Sequence, residues 1–229
     1  MTRTISILIL LLLAIVMTSC GGGVKDLDGN TYKTVKIGNQ EWMAENLKVT
    51  HYRNGDAIPN VTDAKEWSNL TTGACCNYDN DANNLTTYGR LYNWYAVNDS
   101  RNIAPEGWHV PSDAEWKTLE MHLGMSKSEA DDEGWRGTDV GYKLKESGTT
   151  HWSSPNTDAT NESGFSALPG GYRYHEGPYD RMGLYTHFWS STESSSSRAW
   201  SRSLGYIMTA VPRGNYSKQD GFSVRCVRD

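Results

Sequence analysis

The chain has 229 residues, with 22 basic side chains against 27 acidic ones and a net charge of −5. Mild acidity without a basic cluster argues against nucleic acid as a partner, and the length suits one domain with a sizeable core. The aromatic set is lopsided, with 9 Trp and 13 Tyr against 3 Phe. Such residues serve partly exposed surfaces as well as a core poor in aliphatics.

Residues 1–19 have the layout of an export signal. Arg3 gives a basic start, Ile5 to Met17 is an unbroken apolar run, and the run is too short to span a bilayer as a helix. Met17-Thr18-Ser19-Cys20 resembles a bacterial lipoprotein box, which makes Cys20 the lipidated N-terminus and residues 20–25 a Gly-rich tether. An ordinary signal peptide with an incidental Cys is the alternative. Several acyl chains hold a protein stably on a membrane. Gly21 in place of Asp points, by resemblance to known sorting signals, to the outer membrane. Without Arg3 the mature chain has 21 basic and 27 acidic residues, a net charge of −6.

Residues 26–229 read as a single domain, with no dividing linker and no internal repeat. Thr31 to Ile37 and Gln40 to Ala44 alternate as a hairpin around Gly38-Asn39. Asn54 to Asn84 is loop-like. Within it Asp79-Asn80-Asp81 offers oxygens of the kind calcium takes, although an Asx-rich turn is the commoner use of such a run. Leu91, Trp94, Tyr95 and Asn98 stand at helical spacing, so a helix is expected over Tyr88 to Asn98. Ser112-Asp113-Ala114-Glu115 is a capping box opening a helix with Trp116, Leu119 and Leu123 on one face and Gly124 as its stop. Gly134 to Asn161 reads as irregular, and short strands and turns follow from Phe165 to the end. Helices early and antiparallel strands late make an α+β pattern.

Three cysteines remain after lipidation. In an oxidising compartment Cys226 is expected to pair with Cys75 or Cys76; a vicinal Cys75–Cys76 bridge and three free thiols are the other arrangements. None has zinc-site spacing.

The last third alternates aromatic, Gly and Arg anchors with miscellaneous residues. Period two places Trp200, Arg202 and Leu204 on one strand face and Ser201, Ser203 and Gly205 on the other. If the anchors face the core, the mixed set faces outward. The candidate ligand-binding residues are therefore Tyr174, His175, Leu184, Tyr185, His187, Ser201, Ser203, Gly205, Ile207, Met208, Ala210, Pro212, Gly214, Tyr216 and Ser217. Tyr beside small polar residues is a paratope-like composition.

Long motifs then carry a family resemblance. Asp26-Leu27-Asp28-Gly29-Asn30-Thr31-Tyr32, Trp42-Met43-Ala44-Glu45-Asn46-Leu47, Tyr88-Gly89-Arg90-Leu91-Tyr92-Asn93-Trp94, Gly107-Trp108-His109-Val110-Pro111-Ser112, Leu168-Pro169-Gly170-Gly171-Tyr172-Arg173, Trp189-Ser190-Ser191 and Gly221-Phe222-Ser223-Val224-Arg225-Cys226 resemble the Fibrobacter succinogenes major paralogous domain. More distantly, Val110 to Trp116 and Gly221 to Arg225 are similar to formylglycine-generating-enzyme-like domains. That resemblance implies a C-type-lectin-like fold.

It does not imply their chemistry. Those enzymes use a cysteine pair shortly before the last strand, and Ala199 to Asp220 contains no cysteine. His51, His109, His122, His151, His175 and His187 are scattered, and Ser194 to Ser197 lacks the Gly-x-Ser-x-Gly elbow. No enzyme activity, cofactor or metal is expected. Some domains resembling this family are diversified by retroelements that mutate template adenines. The mixed residues of the last third fit the permitted set apart from Met208, as drift among paralogues also would. The expectation is a lipid-anchored envelope protein that binds an external protein or glycan. A fixed polysaccharide module and a structural or adhesion component are its rivals.

Overall fold

The computed structural model describes residues 23–229; residues 1–19, expected to be an export signal, and Cys20, Gly21 and Gly22 lie outside the described residues. Val24–Lys25 (β1) pairs antiparallel with Thr31–Tyr32 (β2), so the last two residues assigned to the tether belong to the fold. Thr34–Ile37 (β3) and Gln40–Met43 (β4) form the hairpin, with Val35 opposite Trp42 and Gly38 in the left-handed region (φ 61°). The strand expected from Thr31 onward is interrupted at Lys33, because its first two residues pair with β1 instead.

The stretch read as loop holds Ala64–Ser68 (α1), Cys75–Cys76 (β5) and the start of Ala82–Tyr88 (α2). Asp63 and Asp81 cap the two helices by accepting from Glu66 N and Asn83 N. Asp79 and Asn80 take left-handed φ values of 51° and 57° in a 3-10 turn over Tyr78–Asn80, which runs into the Asp81 cap. Among the described residues no cluster of three or more His, Cys, Asp or Glu could hold a metal.

The single helix expected over Tyr88 to Asn98 is a correction. Gly89 (φ 75°) ends α2, Leu91–Tyr92 (β6) pairs with β5, and the Asn93 side chain caps a new short helix, Trp94–Val97 (α3). The helical spacing of Leu91 and Trp94 was accidental. Trp108–His109 (β7) precedes Asp113–His122 (α4), whose Ser112–Glu115 capping box is complete. Lys127–Asp131 (α5) and Val140–Leu144 (α6) follow, the latter inside the stretch read as irregular.

Gly170–Arg173 (β8), Tyr179–Met182 (β9), Tyr185–Ser195 (β10), Arg198–Gly205 (β11), Arg213–Ser217 (β12) and Val227–Arg228 (β13) complete the chain. One sheet has the order β12-β11-β10-β8-β9 and is antiparallel except between β10 and β8; a second has the order β3-β4-β13-β7. The fold is α+β, with α4 joining the sheets. Trp116 lies 4.8 Å from Trp42 of β4 and 5.8 Å from Phe188 of β10, ring centre to ring centre. Among the described residues no helix is long and apolar enough to cross a membrane.

The terminal segment departs from the expected strand. Gly221 to Ser223 bridges in turn to Arg173, Tyr92 and Phe188, and only Val227–Arg228 enters the second sheet. Phe222, Val224 and Cys226 are buried together in the largest core cluster. Cys75, Cys76 and Cys226 are free thiols, correcting the bridge. Adjacent strand residues point to opposite faces, and accordingly Cys75 packs in the cluster of Cys226 while Cys76 packs in a separate one.

Candidate functional site

The five-stranded sheet has two differently used faces. Strand register puts Phe188, Arg202, Leu204 and Arg213 on the face toward α4. There Arg202 donates to Glu120 (2.6 Å) and Asp113 (2.8 Å), Arg213 donates to both oxygens of Asp113 (2.9 Å), and Arg136 joins Glu120 through both terminal nitrogens (2.8 Å). Burial works to raise the Asp113 carboxyl, but Arg213 and Arg202 outweigh it and hold it at about 2. Trp200, expected as a core anchor, is only half-buried and lies under the Arg213 guanidinium at 3.6 Å.

The other face carries Tyr172 (β8), Tyr185 and His187 (β10), Ser203 (β11) and Tyr216 (β12). These line a cleft of about 500 Å³ with Tyr174, Met208, Pro212, Asp220 and Phe222. The volume lies in the range of binding pockets. Phe222, brought in by the terminal segment, is its base. His187 stacks on it at 4.6 Å, while Tyr172 and Tyr216 meet the His187 ring edge-on at 4.8 and 5.1 Å. His187 Nδ1 lies 3.0 Å from Ser203 Oγ, and burial lowers the imidazole to about 3. Asp220 accepts from the His175 backbone N–H at 2.8 Å, and burial raises its carboxyl despite that donor.

Nine of the fifteen candidates line this cleft: Tyr174, His175, Tyr185, His187, Ser203, Met208, Pro212, Tyr216 and Ser217. Leu184, Ser201, Gly205, Ile207, Ala210 and Gly214 do not. Two corrections have clear causes. Ser201 shares the predicted face but is fully buried, its hydroxyl without a hydrogen-bond partner. Gly205 is closed over by Met208 and Tyr185, with which any Cβ would collide. Alternation grouped these residues on one strand face, but the outward exposure expected of Ser201, Ser203 and Gly205 fails, since all three are buried.

Trp135 was missed. It lines the cleft with 72% of its surface exposed, the most exposed large apolar side chain among the described residues. It is not loosely held. Gly134 and Arg213 exchange backbone hydrogen bonds (2.8 and 3.0 Å), Val211 N donates to Arg136 O (3.0 Å), and the Arg136 side chain is tied to Glu120. The sequence signal was an aromatic between turn residues, Gly134-Trp135-Arg136-Gly137, in a stretch without periodicity. Tyr172, Arg181, Arg198, Asp220 and Phe222 also line the cleft outside the candidate set.

An α+β domain whose terminal Gly221-Phe222-Ser223 segment floors an aromatic cleft is the class of protein defined so far. Residues 35–228 match the family model of the Fibrobacter succinogenes major domain, and the chain belongs to that family. No curated protein and no solved structure matches the chain.

Proposed function

We propose that this is a recognition domain, held on the cell envelope through lipidated Cys20, whose cleft binds an exposed group of an external protein or glycan. The observation that carries the reading is Trp135. Burying an indole is favourable, and a largely exposed one at the rim of a tyrosine-lined cleft, on backbone held on both sides, is a surface prepared for a partner. Trp and Tyr dominate the energetics of such contacts. The C-type-lectin-like fold is proposed with it, on the capping-box helix and the terminal motif; that fold displays a short sheet and long loops for binding.

The Ser203–His187 pair does not favour catalysis. A general base works best with a pKa near the working pH, and an imidazole at about 3 is a weak one. Among the described residues no carboxylate hydrogen-bonds to the ring, and its face is occupied by Phe222. Programmed diversification, if it operates, changes recognition only at slots that reach the cleft, such as Tyr174, Tyr185 and Tyr216. A reverse transcriptase and a near-copy of the segment encoding Tyr172 to Asp229 beside the gene, with mismatches confined to template adenines, would establish it.

A glycan array and a surface-protein pull-down test the function itself. The expected result is a partner retained by the wild type and lost on Trp135→Ala with Tyr174→Ala. A partner held equally by the double variant would place recognition elsewhere.

A further inference from the structure

Resting on the cleft as the recognition site, we propose that its ligand is an acidic oligosaccharide, with carboxylates at Arg181 and Arg198 and sugar rings over the aromatics between them. Three observations carry this. The first is where the cleft lies. Its strand residues are side chains spread across β8 to β12, loops add Trp135, Tyr174 and Phe222, and the β12 edge beside it is already bridged by Gly134 at Arg213. An extended peptide is captured mainly through backbone hydrogen bonds at a sheet edge, and a face offers none. It offers ring faces and hydroxyls instead, which suit stacked, hydroxyl-rich rings.

The second is Arg198. One of its terminal nitrogens donates to the Asn215 carbonyl at 3.0 Å, and among the described residues it has no carboxylate partner. Buried cations nearby are committed: Arg213 and Arg202 to Asp113, Lys218 to Glu193, Arg173 to three carbonyl oxygens. On a chain with net charge −5, a guanidinium with unused donors at the mouth of an aromatic cleft is a local exception that selects for anions.

The third is Arg181, at the β9 side of the cleft. It takes a left-handed φ of 68°, costly for a residue with a Cβ. That backbone carries the guanidinium over the Tyr185 ring, 5.5 Å from its centre. Among the described residues its only ion pair is a single 3.3 Å contact with the neighbouring Asp180. Tyr172 on β8 and His187 on β10 lie between the strands of the two arginines, Tyr216 flanks them on β12, and Asp220 is the one carboxylate of the lining.

Titration of the full chain with galacturonate oligomers, the same oligomers fully methyl-esterified, and neutral cello-oligomers tests the assignment. The acid form should bind at least about tenfold more tightly than its ester, a difference of about 1.4 kcal/mol, and lose affinity with added salt. Arg181→Gln and Arg198→Gln should each abolish most of that preference, weakening the acid form at least about tenfold more than its ester. Equal binding of acid and ester, with no effect of either substitution, overturns acid recognition and leaves a neutral-glycan cleft. Failure of every saccharide, with capture of a protein that Trp135→Ala releases, overturns the glycan assignment while the recognition site stands. Ligand binding indifferent to Trp135, Tyr174 and both arginines overturns the site as well.

Discussion

Arg136 and Glu120 form a fully buried, two-pronged ion pair with both contacts at 2.8 Å, one residue along the chain from the most exposed tryptophan. A buried, charge-paired side chain therefore anchors the backbone next to a surface aromatic. Glu120 also accepts from Arg202, and Asp113 joins Arg202 to Arg213, so three guanidiniums share two carboxylates.

That imbalance makes an ordered prediction. Removing one arginine leaves matched charges, whereas removing Glu120 leaves Arg136 and Arg202 buried with nothing opposite one of them. Glu120→Gln should cost about 3–5 kcal/mol in urea unfolding, and Arg136→Met distinctly less. The reverse order would mean that the cluster is not held by charge.

The same cluster sets an acid limit. Asp113 has a depressed pKa, about 2 against an ordinary 3.8, so its contribution is present above pH 3.8 and is lost as pH falls through about 2. The shift corresponds to roughly 2 kcal/mol. Asp113→Asn should remove this part of the acid destabilisation, read as a flatter stability profile on acidification.

His109 behaves oppositely. Burial opposes its charge, but hydrogen bonds to Asp229 and Glu115, both 2.7 Å, prevail and raise its pKa above 6.5. Its contribution is fully present below pH 6.5 and is lost as pH rises through the folded pKa. Urea midpoints should fall over that window in the wild type and less in His109→Gln.

Hairpin β3–β4 and the α4 capping box were legible because both are local: a Gly-containing turn between alternating runs, and Ser112 with Glu115 three residues on. The Gly89 stop is also a local signal, but the helical spacing of Leu91 and Trp94 beyond it masks the break. The cleft was half legible. Alternation on β11 showed which residues share a face, but Phe222 arrives from a distant segment to bury His187 and form the floor. Trp135 reaches the site through bridges to Arg213 and Val211, which no local pattern announces.

The thiols make a redox prediction. Burial raises all three, Cys75 to about 12, so they should resist alkylation in the native protein and react on unfolding. A Cys226-linked peptide in a non-reducing map would contradict the free-thiol arrangement.

Anchoring is tested at Cys20. A fatty-acid analogue should label the wild-type protein and not Cys20→Ala, with the variant released from the membrane fraction. Equal release of both would remove the lipid anchor from the account.

The central claim is that the cleft over Phe222 is where this domain meets its ligand. Equilibrium titration of the captured ligand should compare the wild type, Trp135→Ala with Tyr174→Ala, and a control pair, Lys36→Ala with His122→Ala, on a separate surface groove. The cleft pair should weaken binding at least about tenfold, as truncated hot-spot aromatics do, and the control pair should leave it unchanged. Unaltered affinity in a folded cleft variant, or loss in the control, would contradict the claim.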